Sequence, residues 1–348
     1  MSPYVAPDAI TRVAVVGAGA IGAAWATLAT ARGLDVVVAD PAPDAEELLR
    51  STVDRQREQL PSRETGGRTG DLTLVREVAA AVRDADLVIE AGPERLDVKR
   101  EIFAAADAAA RPDVLLTSSS SGLTPSSFQD ACTHHPERVL VAHPFNPPHL
   151  VPLIEIVGGS RTDAAAVDAA MATFAHLGKR PIRINAELPG HVTNRLQAAL
   201  WREAYDLVAR GVVTVADVDT AIASGPGLRW ALYGPFATQH LSGGPGGIGH
   251  VLEHLGPPML DWWADLGQPE LTPELCRTIA AQTDDAMAGQ DLDEVTRRRD
   301  EALQALLALK AASGIDAPAD THPAAGPAAG SAAGPGPGSA AGQGGSHA

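Results

Sequence analysis

Through the first half of the chain, short runs of valine, leucine and isoleucine alternate with alanine-rich stretches. Arg12-Val-Ala-Val-Val16, Asp35-Val-Val-Val-Ala39, Asp86-Leu-Val-Ile-Glu-Ala91, Val114-Leu-Leu-Thr117, Arg138-Val-Leu-Val-Ala142 and Leu153-Ile-Glu-Ile-Val157 read as strands. The alanine-rich segments between them read as helices, and strands alternating with helices predict a parallel, doubly wound sheet. From Gly190 the β-rich runs stop. Apolar residues then recur every three or four positions from Val192 to Val208, a second helix follows Val213, and a last one runs from Arg297 to Ala312. The expected fold class is an α/β Rossmann-type doubly wound domain over residues 10–188, followed by an all-α domain over 189–314. Residues 315–348, mostly Ala, Gly, Pro and Ser, cannot bury enough apolar surface to order themselves and are expected to be a disordered tail.

The first strand breaks into Gly17-Ala-Gly19-Ala20-Ile21-Gly22, and an apolar helical stretch follows at once. In a strand–turn–helix unit Gly17 permits the tight turn, Gly19 lets a pyrophosphate approach the backbone, and Gly22 packs helix against strand. The free amides at the helix start, around Ala20 and Ile21, face the phosphates. Asp40 closes the second strand eighteen residues after Gly22. Its carboxylate can accept both ribose hydroxyls and would repel a 2′-phosphate, so NAD is favoured over NADP as the cofactor.

Composition narrows the function classes. A formal charge of −16 opposes nucleic acid or an anionic membrane as the main partner. Cys132 and Cys276 are the only cysteines, too few for a disulfide framework or a cysteine-rich metal site, which suits the cytoplasm. No basic leader precedes an apolar run and nowhere do eighteen apolar residues occur in succession, so neither secretion nor a membrane span is expected. The scattered histidines lack metal-ligand spacing, and no metal site is expected.

Candidate chemistry collects at strand ends. Pro93-Glu94-Arg-Leu-Asp-Val-Lys99 follows one strand and Ser118-Ser-Ser-Ser121-Gly-Leu another, both facing the crevice outside the carboxyl ends of the strands. His143-Pro-Phe-Asn146-Pro follows a third, with Pro144 and Pro147 expected to stop that strand and leave His143 at its end. Glu155 lies on the next strand candidate, and a return of this length can bring it beside the His143 ring. A histidine held by a carboxylate is a poised base.

These motifs, with Pro189-Gly-His-Val-Thr-Asn194-Arg-Leu, resemble the L-3-hydroxyacyl-CoA dehydrogenase superfamily over roughly residues 10 to 312, and within it the branch of carnitine 3-dehydrogenase and L-gulonate 3-dehydrogenase (lambda-crystallin). The resemblance implies that His143 is the catalytic base and Glu155 its orienting carboxylate. It implies that Ser121 and Asn194 contact the substrate oxygen, with Ser119 second in line because four successive serines hide a one-residue slip. Asp40 would hold the adenosine ribose, while Glu94, Lys99 and Asn146 would lie along the cofactor toward the nicotinamide. In that family the helical domain completes the substrate cleft and forms the dimer interface, so a homodimer is expected.

Gly225-Pro-Gly-Leu-Arg229-Trp230 is similar to the Gly-Leu-Arg-Trp of the carnitine branch, where the gulonate branch has Met-Arg-Tyr. Arg229 is a planar fork suited to the carboxylate of a small free 3-hydroxy acid, with Trp230 beside it. Phe145, Trp230 and Tyr233 are available for a trimethylammonium group. The expected activity is NAD-dependent oxidation of a carnitine-like or gulonate-like 3-hydroxyl to the ketone. Two alternatives stand beside it. One is an acyl-CoA substrate, against which the arginines of Glu46 to Asp71 are interleaved with carboxylates as on an exposed helix. The other is a non-catalytic, crystallin-like protein, against which the intact His143, Glu155 and Asn194 set argues.

Overall fold

A computed structural model of the chain describes residues 2–60 and 67–315. The segment read as a tail falls, from residue 316 on, outside the described residues, as do Arg63 and Glu64 of the charged segment.

Eight strands form one sheet: β1 (Arg12–Val16), β2 (Asp35–Ala39), β3 (Leu72–Val75), β4 (Leu87–Glu90), β5 (Leu115–Ser118), β6 (Val139–Pro144), β7 (Leu153–Gly158) and β8 (Arg180–Ile184). Their order is β3-β2-β1-β4-β5-β6-β7-β8. The chain winds outward from β1 on one side and returns through β4 on the other, so the order reverses between β1 and β4. A crevice opens at the carboxyl ends of strands on either side of such a reversal. Val13 and Val15 of β1 face one apolar core with Trp25, Leu28, Val36 and Phe174, while Ala14 and Val16 face a second with Val88, Phe103, Leu116 and Phe128. The two-residue side-chain period divides one strand between two cores, which is why its sequence is apolar throughout.

The sheet departs from the all-parallel expectation at one place. β6 and β7 are antiparallel, with His143 directly opposite Glu155 in the register. The link between them spans only residues 145–152, too short for the crossover that a parallel pair needs. Pro144 does not stop the strand before it but is its last residue, paired with Ile154. Elsewhere the pairing is parallel.

From residue 193 the described chain contributes helices and no strand, beginning with Thr193–Ala209. Thr214 caps the helix Val215–Ala223 in a reciprocal box with Asp217. The last helix, Leu292–Ala312, is capped by Asp291 and begins at Leu292, five residues before the Arg297 start read from the sequence. Its Asp300 accepts a 3.3 Å hydrogen bond from the Gln59 amide, whose carbonyl oxygen meets His149 Nε2 at 2.8 Å. Gln59 thus ties the C-terminal helix to the loop that follows β6.

Burial pushes His149 down from 6.5 to about 4, against the pull of Asp300. The unfolded chain therefore binds a proton between about pH 6.5 and 4 that the folded one refuses, so stability falls as pH drops through that window. The loss expected from this shift is about 3 kcal/mol. Urea unfolding at stepped pH should show it, and His149→Gln, which keeps the donor to Gln59, should lack that component.

Candidate active site

The glycine turn sits at the reversal of strand order. Gly17 has φ of 106°, and a Cβ there would lie 2.6 Å from the carbonyl oxygen of Ala91, so the loops after β1 and β4 pass too closely for any side chain. At Gly22 a Cβ would meet the Gly17 carbonyl oxygen at 1.9 Å. Gly19 differs, because a Cβ there would have no heavy atom within 4 Å and would project into open space. That space lies at the N-terminus of the helix Ala20–Ala31, where backbone N–H groups are left without carbonyl partners and attract a phosphate. Asp40 follows β2 and accepts from Ala18 N at 2.8 Å and Ala42 N at 2.9 Å, one per carboxylate oxygen. Each oxygen keeps a second lone pair, so the carboxylate is fixed and can still accept ribose hydroxyls. These features fit a dinucleotide.

His143 is 5% exposed and Glu155 fully buried, with His143 Nδ1 2.8 Å from Glu155 Oε2. A carboxylate only accepts, so in the neutral ring Nδ1 carries the proton and Nε2 presents a lone pair. The other oxygen, Oε1, accepts from Val192 N (3.0 Å), Thr193 N (2.9 Å) and Thr193 Oγ1 (3.0 Å). Burial pushes the Glu155 carboxyl up, but the bonds from His143 and from the Thr193 backbone and hydroxyl outweigh it, leaving it below its ordinary value and ionised.

A cleft of about 320 Å3 joins His143 to Ile21, Ser119, Ser121, Phe145, Asn146, Asn194 and Gln197. The Asn194 amide donates to the Ser121 carbonyl at 3.1 Å. The four serines separate by alternation. Ser118 donates to Glu90 at 2.5 Å and Ser120 to Glu94 at 2.6 Å, both away from the cleft, whereas Ser119 and Ser121 line it. Ser119 also accepts from the Trp25 indole at 3.2 Å.

Glu94 Oε1 gathers Ser120 Oγ, Gly122 N and Leu123 N. Burial raises the Glu94 carboxyl, but these bonds and the Lys99 ammonium bring it below its usual range. Lys99 is 1% exposed and bonds both oxygens of buried Glu90 at 2.9 Å, with Glu94 Oε2 at 3.4 Å. It therefore joins the end of β4 to the loop that follows, while Glu90 and Glu94 carry the link on to Ser118 and Ser120. Arg229 and Trp230 are exposed on the helix Pro226–Leu232 and are not among the residues lining the His143 cleft.

Sequence reasoning gave no role to Glu90, His191 or Gln197. Glu90 carried a signal, being a carboxylate that ends an otherwise apolar strand. His191 carried one in retrospect: it lies inside a quoted motif, between Gly190 and Asn194.

Comparison with known proteins agrees with this geometry. Residues 12–187 match the family described as 3-hydroxyacyl-CoA dehydrogenase, NAD binding domain, and residues 190–277 match its C-terminal domain. The chain is 44% identical over 303 residues to an L-carnitine dehydrogenase of Streptomyces coelicolor, covering 86% of this chain and 95% of that one. It is 42% identical over 306 residues to a 3-hydroxyacyl-CoA dehydrogenase of Gibberella moniliformis, covering 86% and 95%. A solved structure of 5-formyl-3-hydroxy-2-methylpyridine 4-carboxylic acid 5-dehydrogenase, an NAD+-dependent dismutase, superposes with a TM-score of 0.71 at 28% identity, covering 86% and 97%. The chain belongs to the 3-hydroxyacyl-CoA dehydrogenase family and is an NAD-dependent oxidoreductase.

Proposed function

We propose that this dehydrogenase oxidises the 3-hydroxyl of a small free acid, with L-carnitine as the preferred substrate, and that it runs reversibly. The observation that carries the reading is the His143–Glu155 pair at the mouth of a cleft, in a chain 44% identical to an L-carnitine dehydrogenase. NAD, when bound, accepts the hydride from the substrate carbon. His143 Nε2 takes the hydroxyl proton, and Glu155 stabilises the imidazolium that results. Ser121 and Asn194 hold the reacting oxygen so that its carbon faces the cofactor, with Ser119 as the alternative hydroxyl. The Gly17 to Gly22 turn, with Ala20 and Ile21, holds the pyrophosphate and Asp40 the ribose. Asn146 lies toward the nicotinamide, while Glu94 contacts the cofactor and Lys99 acts through Glu94. In this reading residues 10–188 bind the cofactor and 189–314 complete the substrate cleft and dimerise.

The apolar surface supports a homodimer. From residue 189 on, the buried hydrophobics among the described residues are Val208, Val251 and Leu275, whereas Trp201, Trp230, Phe236, Trp262 and Trp263 are 43–75% exposed. A helical layer this bare needs a second surface against it. Light scattering should give twice the 35.9 kDa chain mass, and a monomer would contradict it. Arg229, exposed beside this surface, then reaches the substrate carboxylate from the second copy. On this reading Arg229→Ala raises the KM for the acid about 10-fold or more with the KM for NAD little changed. An unchanged KM for every accepted acid removes the clamp.

A thioester substrate is the second reading, favoured by the relative named 3-hydroxyacyl-CoA dehydrogenase. Against it, two of that segment's arginines are already paired with carboxylates, Arg50 with Glu46 at 2.9 Å and Arg68 with Asp35 at 2.7 Å. The test is NADH absorbance with L-carnitine, L-gulonate, 3-hydroxybutyrate and 3-hydroxybutyryl-CoA. Turnover with L-carnitine is expected, and turnover with the thioester alone would overturn the free-acid reading.

A further inference from the structure

His191 is fully buried, yet among the described residues it is the one non-glycine with positive φ, at 52°. A left-handed backbone at a residue with a Cβ is strained and persists where the surroundings impose it. The neighbouring contacts show what imposes it. His191 Nε2 lies 3.0 Å from the Ser120 carbonyl oxygen, and its ring stands 5.4 Å from the His143 ring at 43°. The next two residues, Val192 and Thr193, give their amides to Glu155, and Asn194 gives its side-chain amide to the Ser121 carbonyl. One short turn therefore holds the carboxylate behind His143 and, at two successive carbonyls, the serine loop in front of it.

We propose that His191 is a positioning residue for proton transfer, whose Nε2–H clasps the Ser120 carbonyl and so sets the place of Ser121 relative to His143. The Ser120 carbonyl can only accept, so Nε2 carries a proton, and a second one on Nδ1, which is buried without a hydrogen-bond partner among the described residues, would be an unpaired buried charge, so the ring is neutral. Burial agrees, holding His191 below the ordinary histidine value despite its bond to Ser120. Neutrality matters beside His143, because a second cation 5.4 Å away would oppose formation of the His143 imidazolium. His191 thus supplies a rigid donor without adding charge where charge must develop. The role rests on the reading of His143 as the base, and its test is built to fail separately.

Two variants isolate the hydrogen bond. His191→Phe keeps the ring and loses the donor, whereas His191→Gln places an amide N–H near the position of Nε2. Both carry the same left-handed strain, so their difference reports the bond. The first readout, amide hydrogen exchange across residues 118–124, needs no activity. Gly122 and Leu123 N–H groups bond Glu94 in that segment, and their exchange should quicken about 10-fold in His191→Phe and return to within about threefold of the parent in His191→Gln. The second is turnover of NAD with the acid that reacts fastest in the panel above. His191→Phe should lower kcat about 10-fold with unchanged KM for NAD and a larger primary deuterium isotope effect, which loss of folded enzyme alone would not alter.

Equal behaviour of the two variants, or unchanged loop exchange in His191→Phe, overturns the clasp. Altered exchange with an unaltered isotope effect and kcat overturns the positioning role. A fully active His143→Gln control would instead sink the reading of His143 as base while leaving the exchange result standing.

Discussion

Replacing His143 by glutamine lowers kcat about 10³-fold for every accepted acid, with the KM for NAD changing less than about threefold. Glutamine matches the imidazole in approximate reach and can donate to Glu155, so the pocket behind it stays filled. What it lacks is a group that accepts a proton near neutral pH. The substrate hydroxyl must then lose its proton to water as the hydride leaves, and the barrier rises by the advantage that a placed base confers. Steady-state NADH formation measures the loss. A deficit smaller than about tenfold would mean that another group takes the proton.

Glu155→Gln costs about 10²-fold or more in kcat, for a reason the hydrogen bonds make specific. Three donors, from Val192 N, Thr193 N and Thr193 Oγ1, converge on Oε1. A carboxamide must turn its oxygen toward them, which directs its NH2 at His143 Nδ1. Nδ1 is then forced to accept, the ring proton moves to Nε2, and the nitrogen facing the cleft can no longer serve as a base. The same variant changes acid stability. The folded carboxyl sits below its ordinary 4.5, so its stabilisation is complete above that value and is lost as pH falls through the folded one. Glu155→Gln should lose that acid-dependent component, visible as a shallower decline of the urea midpoint below about pH 4.5. Wild-type kcat in the variant would show that Glu155 does not set the tautomer.

The parts of the site legible in the sequence are those whose reasons are local. Gly17 and Gly22 are dictated by close backbone approach within one strand–turn–helix unit, and Asp40 by its place at the end of the following strand. His143 and Glu155 were legible as chemistry, and their pairing follows from a link too short to cross over. The edge strands were not legible. β8 reads Arg-Pro-Ile-Arg-Ile, with a proline and two arginines that are tolerable only at a sheet edge. β3 is four residues, partly exposed, at the opposite edge. Neither carries the apolar run that marks the central strands. The serine run is ambiguous because sequence cannot distinguish a hydroxyl facing Glu90 or Glu94 from one facing the cleft, whereas the hydrogen bonds of Ser118 and Ser120 separate them from Ser119 and Ser121. His191 is marked in the sequence only by its place between Gly190 and Asn194, since its role lies in a backbone angle and a carbonyl seventy-one residues away. The position of Arg229 outside the single-chain cleft was equally unreadable, because it depends on where a helix packs.

The most direct test of the account is to follow the hydride. L-carnitine carrying deuterium at C3 is incubated with the protein and NAD, and the NADH formed is weighed by mass spectrometry. One deuterium per NADH is expected, with the ketone as co-product. NADH without deuterium, or no NADH from L-carnitine under conditions where 3-hydroxybutyryl-CoA is oxidised, would contradict it.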